Sequence, residues 1–143
     1  MTERSILENT NVPVNITYLY PKIEQGCTGF TNVRYTIEQG IYLDCDMILM
    51  ADIAELWEYK RQDKYVCMVD GSTEVSVINC THSCTNKHQE NLLPKENSIP
   101  HCWNVKDKLI PGMKLLHFTN MNTQPWFNEH PDKLATALYR RYI

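Results

Sequence analysis

Gly40-Ile41-Tyr42-Leu43-Asp44-Cys45-Asp46-Met47-Ile48-Leu49-Met50 is the stretch on which the fold turns. A continuous apolar run after a glycine, Ile41 to Leu43, predicts a fully buried strand of the kind found in mostly parallel sheets. The run ends abruptly at two acids. Residues i and i+2 of an extended chain project to the same side, so the Asp44 and Asp46 carboxylates can converge on one ligand. Two acids this close among apolar neighbours repel unless protons or a cation neutralise them. Hard oxygen ligands select Mg²⁺ or Mn²⁺, cations that in turn seek phosphate oxygens. In open α/β sheets ligands bind beyond the carboxyl ends of the strands, where this pair falls. The competing reading is a solvated turn beside an unrelated helix cap, and a bare D-x-D is a weak motif.

Outward from this stretch the pattern alternates between strand and helix. Asp52 fits an N-cap with Glu55 three residues later, as in a capping box, and Ile53, Leu56 and Trp57 fall on one helical face. Tyr65–Val69, Val75–Ile78 and Lys114–Phe118 read as strands, and Val12–Leu19 alternates like another. Residues 5–10 suit the end of a short helix. Pro21–Phe30 and Thr81–Pro100 carry loop composition. Leu134, Ala137, Leu138 and Tyr142 recur at helical spacing and predict an amphipathic closing helix over Pro131–Ile143. The whole indicates one α/β domain spanning residues 1–143.

The chain has 143 residues and a net charge of −3, which gives no electrostatic footprint for nucleic acid. No apolar run approaches the ~20 residues that cross a bilayer, and the first residues lack the pattern of a signal peptide, so a cytoplasmic setting is expected. In such a compartment the six cysteines are expected to be reduced, several packed as small hydrophobes. Cys80-Thr-His82-Ser-Cys84 sketches a zinc site, but with tighter spacing than usual and no second pair.

Ile41-Tyr-Leu-Asp-Cys-Asp-Met-Ile-Leu-Met-Ala-Asp-Ile-Ala-Glu-Leu-Trp57 resembles the metal-binding segment of family 8 glycosyltransferases and their GT-A relatives. Lys114-Leu-Leu-His-Phe-Thr-Asn-Met-Asn-Thr-Gln-Pro-Trp126 resembles the family's C-terminal block. Weaker similarities run through Arg4-Ser-Ile…Pro13-Val, Thr28-Gly-Phe-Thr…Arg34-Tyr, Val75-Ser-Val-Ile and Ile99-Pro-His-Cys-Trp-Asn104. The resemblance implies a GT-A fold, a Rossmann-like mixed sheet flanked by helices. It makes Asp44, Asp46 and His117 the ligands of Mn²⁺ or Mg²⁺. The loop after His117, with Asn120, Met121, Gln124 and Trp126, is implied to close over the diphosphate of a sugar nucleotide. Gln124 stands where many relatives carry a phosphate-binding lysine and brings no charge, and Trp126 suits packing as well as stacking. Arg34 is a candidate for neutralising the donor phosphates. Asp70 is the candidate catalytic or sugar-orienting carboxylate, and Trp103 and Asn104 are candidates for contacting sugar.

The activity implied is transfer of a hexosyl group from a nucleoside diphosphate sugar, by resemblance UDP-linked, to a glycan, protein or lipid hydroxyl. The sequence departs from the family in beginning after the strand that grips the nucleoside and in shortening the connection between Ile37 and Gly40. An incomplete version of a longer domain is the expectation. Two other readings stay open: a non-catalytic domain that binds a glycan or partner, and a Mg²⁺-dependent phosphohydrolase.

Overall fold

The computed structural model describes residues 1–20, 33–68, 72–80 and 96–143. Within them, short strands form two mixed sheets, and three α-helices accompany them. The first sheet has the order β1-β4-β3-β5, from Gln39–Leu43 (β1), Lys64–Met68 (β3), Val75–Asn79 (β4) and Glu96–Ile99 (β5). Its β1/β4 and β3/β4 pairs are antiparallel and its β3/β5 pair is parallel. The second sheet, β2-β7-β6, joins Met47–Leu49 (β2), Val105–Lys106 (β6) and Leu115–His117 (β7). There β2 runs antiparallel to β7, and β6 runs parallel to it.

The α/β class follows as expected, with mixed strand directions. Several particulars differ from the sequence reading. Ile41–Leu43 is not fully buried and pairs antiparallel, with β1 at the margin of its sheet among the described residues. Full burial belongs to the next apolar run, Met47–Leu49, in which every residue is solvent-inaccessible. Val12–Leu19 forms no strand: Val14 and Ile16 rest on the core while the intervening backbone joins no ladder, so the alternation records one-sided packing alone. Glu96–Ile99, within a segment of loop composition, is a strand beside β3.

Helix α1, Thr2–Asn9, explains how the free margin of β2 is tolerated in the interior. Thr2 Oγ1 donates to the Cys45 carbonyl at 2.6 Å and stands within hydrogen-bonding distance of both the N–H and the carbonyl of Met47. Ser5 Oγ accepts from Leu49 N–H at 2.9 Å, and Asn9 Nδ2 donates to the Leu49 carbonyl at 3.0 Å. Residues 2, 5 and 9 share a helical face, so three short polar side chains satisfy backbone groups that a neighbouring strand would otherwise take.

Helix α2, Ile53–Trp57, begins as the sequence suggests, with Asp52 accepting from Ala54 N–H at 2.9 Å. The reciprocal half of a capping box does not form, because the Glu55 carboxylate pairs with Lys114. Helix α3, Lys133–Tyr142, lies within the predicted span, capped by Asp132. Its inward face is turned from the predicted one. Ala135, Leu138, Tyr139 and Tyr142 meet the core, while Leu134 is 69% exposed.

Hydrophobic burial is divided between two main clusters. Met47, Leu49, Leu56, Val66, Val77, Ile99, Trp103 and Leu115 form one, and Ile48, Val105, Leu116, Phe118 and Ala135 form the other. Alternate residues of β2 and β7 point into opposite clusters, as the two-residue period of a strand dictates. The chain that carries the two acids therefore emerges from a strand anchored on both faces. Cys67 and Cys80 are buried thiols, in keeping with small-hydrophobe packing.

Candidate metal centre

Asp44, Cys45 and Asp46 connect the two sheets, leaving β1 in the first and entering β2 in the second. They form a turn, so the acids converge through the change of direction and not through an extended i, i+2 pair. Strand register supplies their neighbours. Met47 pairs with His117 across the β2/β7 ladder, and Phe118 N–H donates to the Asp46 carbonyl at 3.1 Å, which fixes Asp46 beside the imidazole. Leu43 pairs with Val75, which brings Glu74 to the end of β1 where Asp44 stands.

The result is the one group of three candidate metal-ligating side chains among the described residues. One ligand atom each from Asp44, Asp46 and His117 lies within 4.8 Å of the others. His117 Nε2 is 3.0 Å from Asp46 Oδ1 and 3.9 Å from Asp44 Oδ2. Adjacent ligands of a six-coordinate cation at about 2.1 Å stand about 3 Å apart, and opposite ones about 4.2 Å. The two separations from His117 Nε2 fall within that span.

The orientation of the imidazole makes the fit chemically specific. His117 is almost fully buried, and its Nδ1 lies 2.9 Å from Asn104 Oδ1. The Asn104 amide nitrogen donates to Glu74 Oε2 at 2.8 Å, so its oxygen must be the acceptor of an Nδ1–H. Lys106 at 3.0 Å and the Ser72 hydroxyl at 2.7 Å also hold Glu74 Oε2. The 3.6 Å from His117 Nδ1 to Glu74 makes that contact electrostatic, not a hydrogen bond. With Nδ1 committed, Nε2 turns toward the two carboxylates, the arrangement that outer hydrogen bonds impose on metal-ligating histidines.

A neutral Nε2 would set its lone pair against carboxylate oxygens. A proton or a cation must occupy that place. Burial alone would lower the pKa of His117, but the Asp46 and Glu74 carboxylates outweigh it and raise it to about 9. Asp46 Oδ1, although only 3.0 Å from Nε2, is buried and accepts no aligned hydrogen bond. An oxygen so placed has an ionic neighbour but no aligned donor, and a divalent cation would satisfy it and the imidazole together. The residues present thus fit Mn²⁺ or Mg²⁺.

The remaining charges are braced. Burial pushes the Asp44 carboxyl above its ordinary value, against the hydrogen bond from Tyr42 and the charge of Arg34. Tyr42 OH donates to Asp44 Oδ1 at 2.7 Å, and burial and that bond raise the phenol well above its usual range. The His117 ring holds Glu74 well below the usual carboxylate range, aided by Ser72, Asn104 and Lys106 and opposed by burial. Arg34 is buried, 4.0 Å from Asp44, with its guanidinium 4.6 Å over the Tyr42 ring and donating to Thr73. It is a fixed part of the cluster, not the solvated arginine that its residue type suggests.

The other candidates divide between buried and exposed places. Asn104 and Trp103 are fully buried, which leaves neither a surface for sugar; Asn104 orients the His117 imidazole instead. Gln124 is buried and donates through Nε2 to the Phe118 carbonyl at 3.0 Å, tying the loop back to its own start. Trp126 packs edge-on to Phe118 at 5.9 Å and against Tyr139 at 5.7 Å, a core contact. Asn120 and Met121 are exposed at the loop tip, Met121 by 68%. Asp70 and the segment containing Thr28 lie outside the described residues, as do His82 and Cys84. Glu74, Tyr42, Thr73 and Lys106 escaped the sequence reading. Their one signal was position, Glu74 immediately preceding an apolar strand and Lys106 two residues beyond Asn104.

No helix among the described residues is long and apolar enough to cross a membrane. Compared with known proteins, the sequence matches no family model and no curated protein.

Proposed function

We propose that this chain is a metal-dependent glycosyltransferase domain of the GT-A type, taking a hexosyl group from a nucleoside diphosphate sugar, UDP-linked by resemblance, to an acceptor hydroxyl. The observation that carries the proposal is the convergence of Asp44, Asp46 and His117, with the histidine's outer nitrogen tied to Asn104. That convergence joins the two sequence blocks on which the family resemblance rests, although 70 residues separate Asp46 from His117 at the closest.

Bound Mn²⁺ or Mg²⁺ would supply positive charge for a diphosphate leaving group, the usual contribution of a cation in such chemistry. Asp44 and Asp46 would hold it through carboxylate oxygens, and His117 through Nε2. Tyr42 and Arg34 keep Asp44 in place by a hydrogen bond and a nearby charge. Asn104, held by Glu74, keeps the His117 ring in the orientation that presents Nε2. Because the neighbouring carboxylates raise the His117 pKa and so favour a protonated ring, loading would release a proton from it. Asn120 and Met121, at the exposed tip of the following loop, are the residues proposed to meet the diphosphate, and Asp70 the acid proposed to orient sugar. Gln124 is assigned to holding that loop.

Release of UDP from a panel of UDP-sugars, with Mn²⁺ and with EDTA, tests the activity. Metal-dependent release that Asp46→Ala abolishes supports it. No release from any sugar nucleotide in the presence of Mn²⁺ counts against it.

A further inference from the structure

The loop that follows His117 is fixed at both ends, and the front fixture is a residue that the metal centre does not use. Asp107 ends β6. Its backbone N–H donates to the His117 carbonyl at 2.9 Å, one residue beyond the β6/β7 pairing of Lys106 with His117. Its φ of +58° lies in the left-handed region, which aspartate tolerates better than most residues. Its carboxylate takes both donors at the start of the loop. Oδ2 accepts from the Thr119 hydroxyl at 2.6 Å, and Oδ1 from Asn120 N–H at 3.0 Å.

From there the loop carries its own bonds. Asn120 Oδ1 accepts from Asn122 N–H at 3.1 Å, and the Asn120 carbonyl accepts from Thr123 N–H at 2.9 Å. Gln124 then closes the loop onto Phe118 from inside. Asn120 is thus the pivot of the turn, and Asp107 holds it by its backbone.

We infer that Asp107 is a positioning residue that keeps residues 119–124 in a preformed shape for a diphosphate, so that the loop receives the nucleotide instead of folding over it. The nucleotide part rests on the function proposed above; the clamp rests on the bonds alone. A preformed loop avoids the ordering cost that a mobile one meets on binding, which is why losing the clamp weakens affinity without removing a ligand contact. The clamp also makes Asn120 N–H unavailable as a phosphate donor, while the residues Asn120, Met121 and Asn122 stay exposed at the tip.

Asp107→Gly keeps the left-handed backbone and removes both side-chain bonds, and Asp107→Asn keeps the backbone preference and one acceptor. Both leave the backbone bond to His117. Amide exchange across residues 119–124 and titrations of Mn²⁺ alone and of UDP with Mn²⁺ give three readouts. The expected result is faster exchange at Asn120, Asn122 and Thr123 in Asp107→Gly, unchanged Mn²⁺ affinity, and UDP binding about tenfold weaker, with Asp107→Asn between. Unchanged exchange overturns the clamp. Faster exchange with unaltered UDP affinity, or Mn²⁺ and UDP affinity falling together, overturns the positioning role. If the unaltered chain binds no UDP, the function proposed above falls and the diphosphate role with it, while exchange still decides the clamp.

Discussion

Replacing Asn104 with alanine leaves every proposed metal ligand in place and removes the group that aims one of them. Asn104 is fully buried and makes two linked hydrogen bonds, 2.9 Å from its Oδ1 to His117 Nδ1 and 2.8 Å from its Nδ2 to Glu74. Without it the imidazole keeps its backbone but loses the acceptor that holds Nδ1–H. Glu74, 3.6 Å from Nδ1, attracts the ring without fixing it. Losses of this outer kind reduce metal affinity ten- to a hundredfold, about 1.4 to 2.8 kcal/mol. The fold weakens separately, by about 1–3 kcal/mol for buried groups left unpaired. Titration calorimetry of Mn²⁺ into the unaltered chain and Asn104→Ala, with melting curves beside it, separates the two effects. Asn104→Asp keeps the acceptor and loses the donor, and it is expected to recover metal affinity but not stability. If Asn104→Ala binds Mn²⁺ as tightly as the unaltered chain, Asn104 does not aim the His117 imidazole at a cation.

Ser5→Ala removes the buried acceptor of Leu49 N–H and is expected to cost about 1–3 kcal/mol in urea unfolding. Asp132→Ala removes the cap that serves Leu134 and Ala135 and the partner of Leu109 N–H, for about 1 kcal/mol. The bond from Leu109 N–H, against slight burial, leads in lowering the Asp132 pKa. Its stabilisation is therefore complete above the ordinary aspartate value and fades as pH falls through the lower folded value. Unfolding measured toward acid should show the two proteins converging below about pH 4. Leu134→Lys should change stability by no more than about 0.5 kcal/mol, whereas Ala135→Leu should overpack the core and cost about 1–3 kcal/mol. The opposite ranking would restore the face first expected for α3.

What the sequence reveals depends on how far each inference must reach. Helix α2 and its Asp52 cap were legible because their signals lie within a few residues. So were β3, β4 and β7, whose apolar patterns are local. The margin of β2 was not legible, since its partners are hydroxyl and amide groups more than forty positions earlier in Thr2 and Ser5 and forty earlier in Asn9, outside any strand code. Helix α3 illustrates a different loss: Leu134 and Ala135 both look apolar, and only tertiary packing decides which of two adjacent residues turns inward. At the site, residue chemistry singled out Asp44 and Asp46 and the family resemblance added His117, and the structure brings the three together by strand register. Glu74 carried no such signal, because an acid before a strand is most often solvated. Asn104 was visible as a candidate but with another role, and its burial decided between them.

The most direct test of the central claim is titration of UDP into the protein with Mn²⁺, repeated with EDTA and with Asp44→Ala/Asp46→Ala. Saturable binding with Mn²⁺ is expected to disappear in EDTA and in the double variant, whose fold is checked by its melting curve. Binding that persists unchanged in EDTA or in the double variant, or no binding in any condition, would contradict the claim.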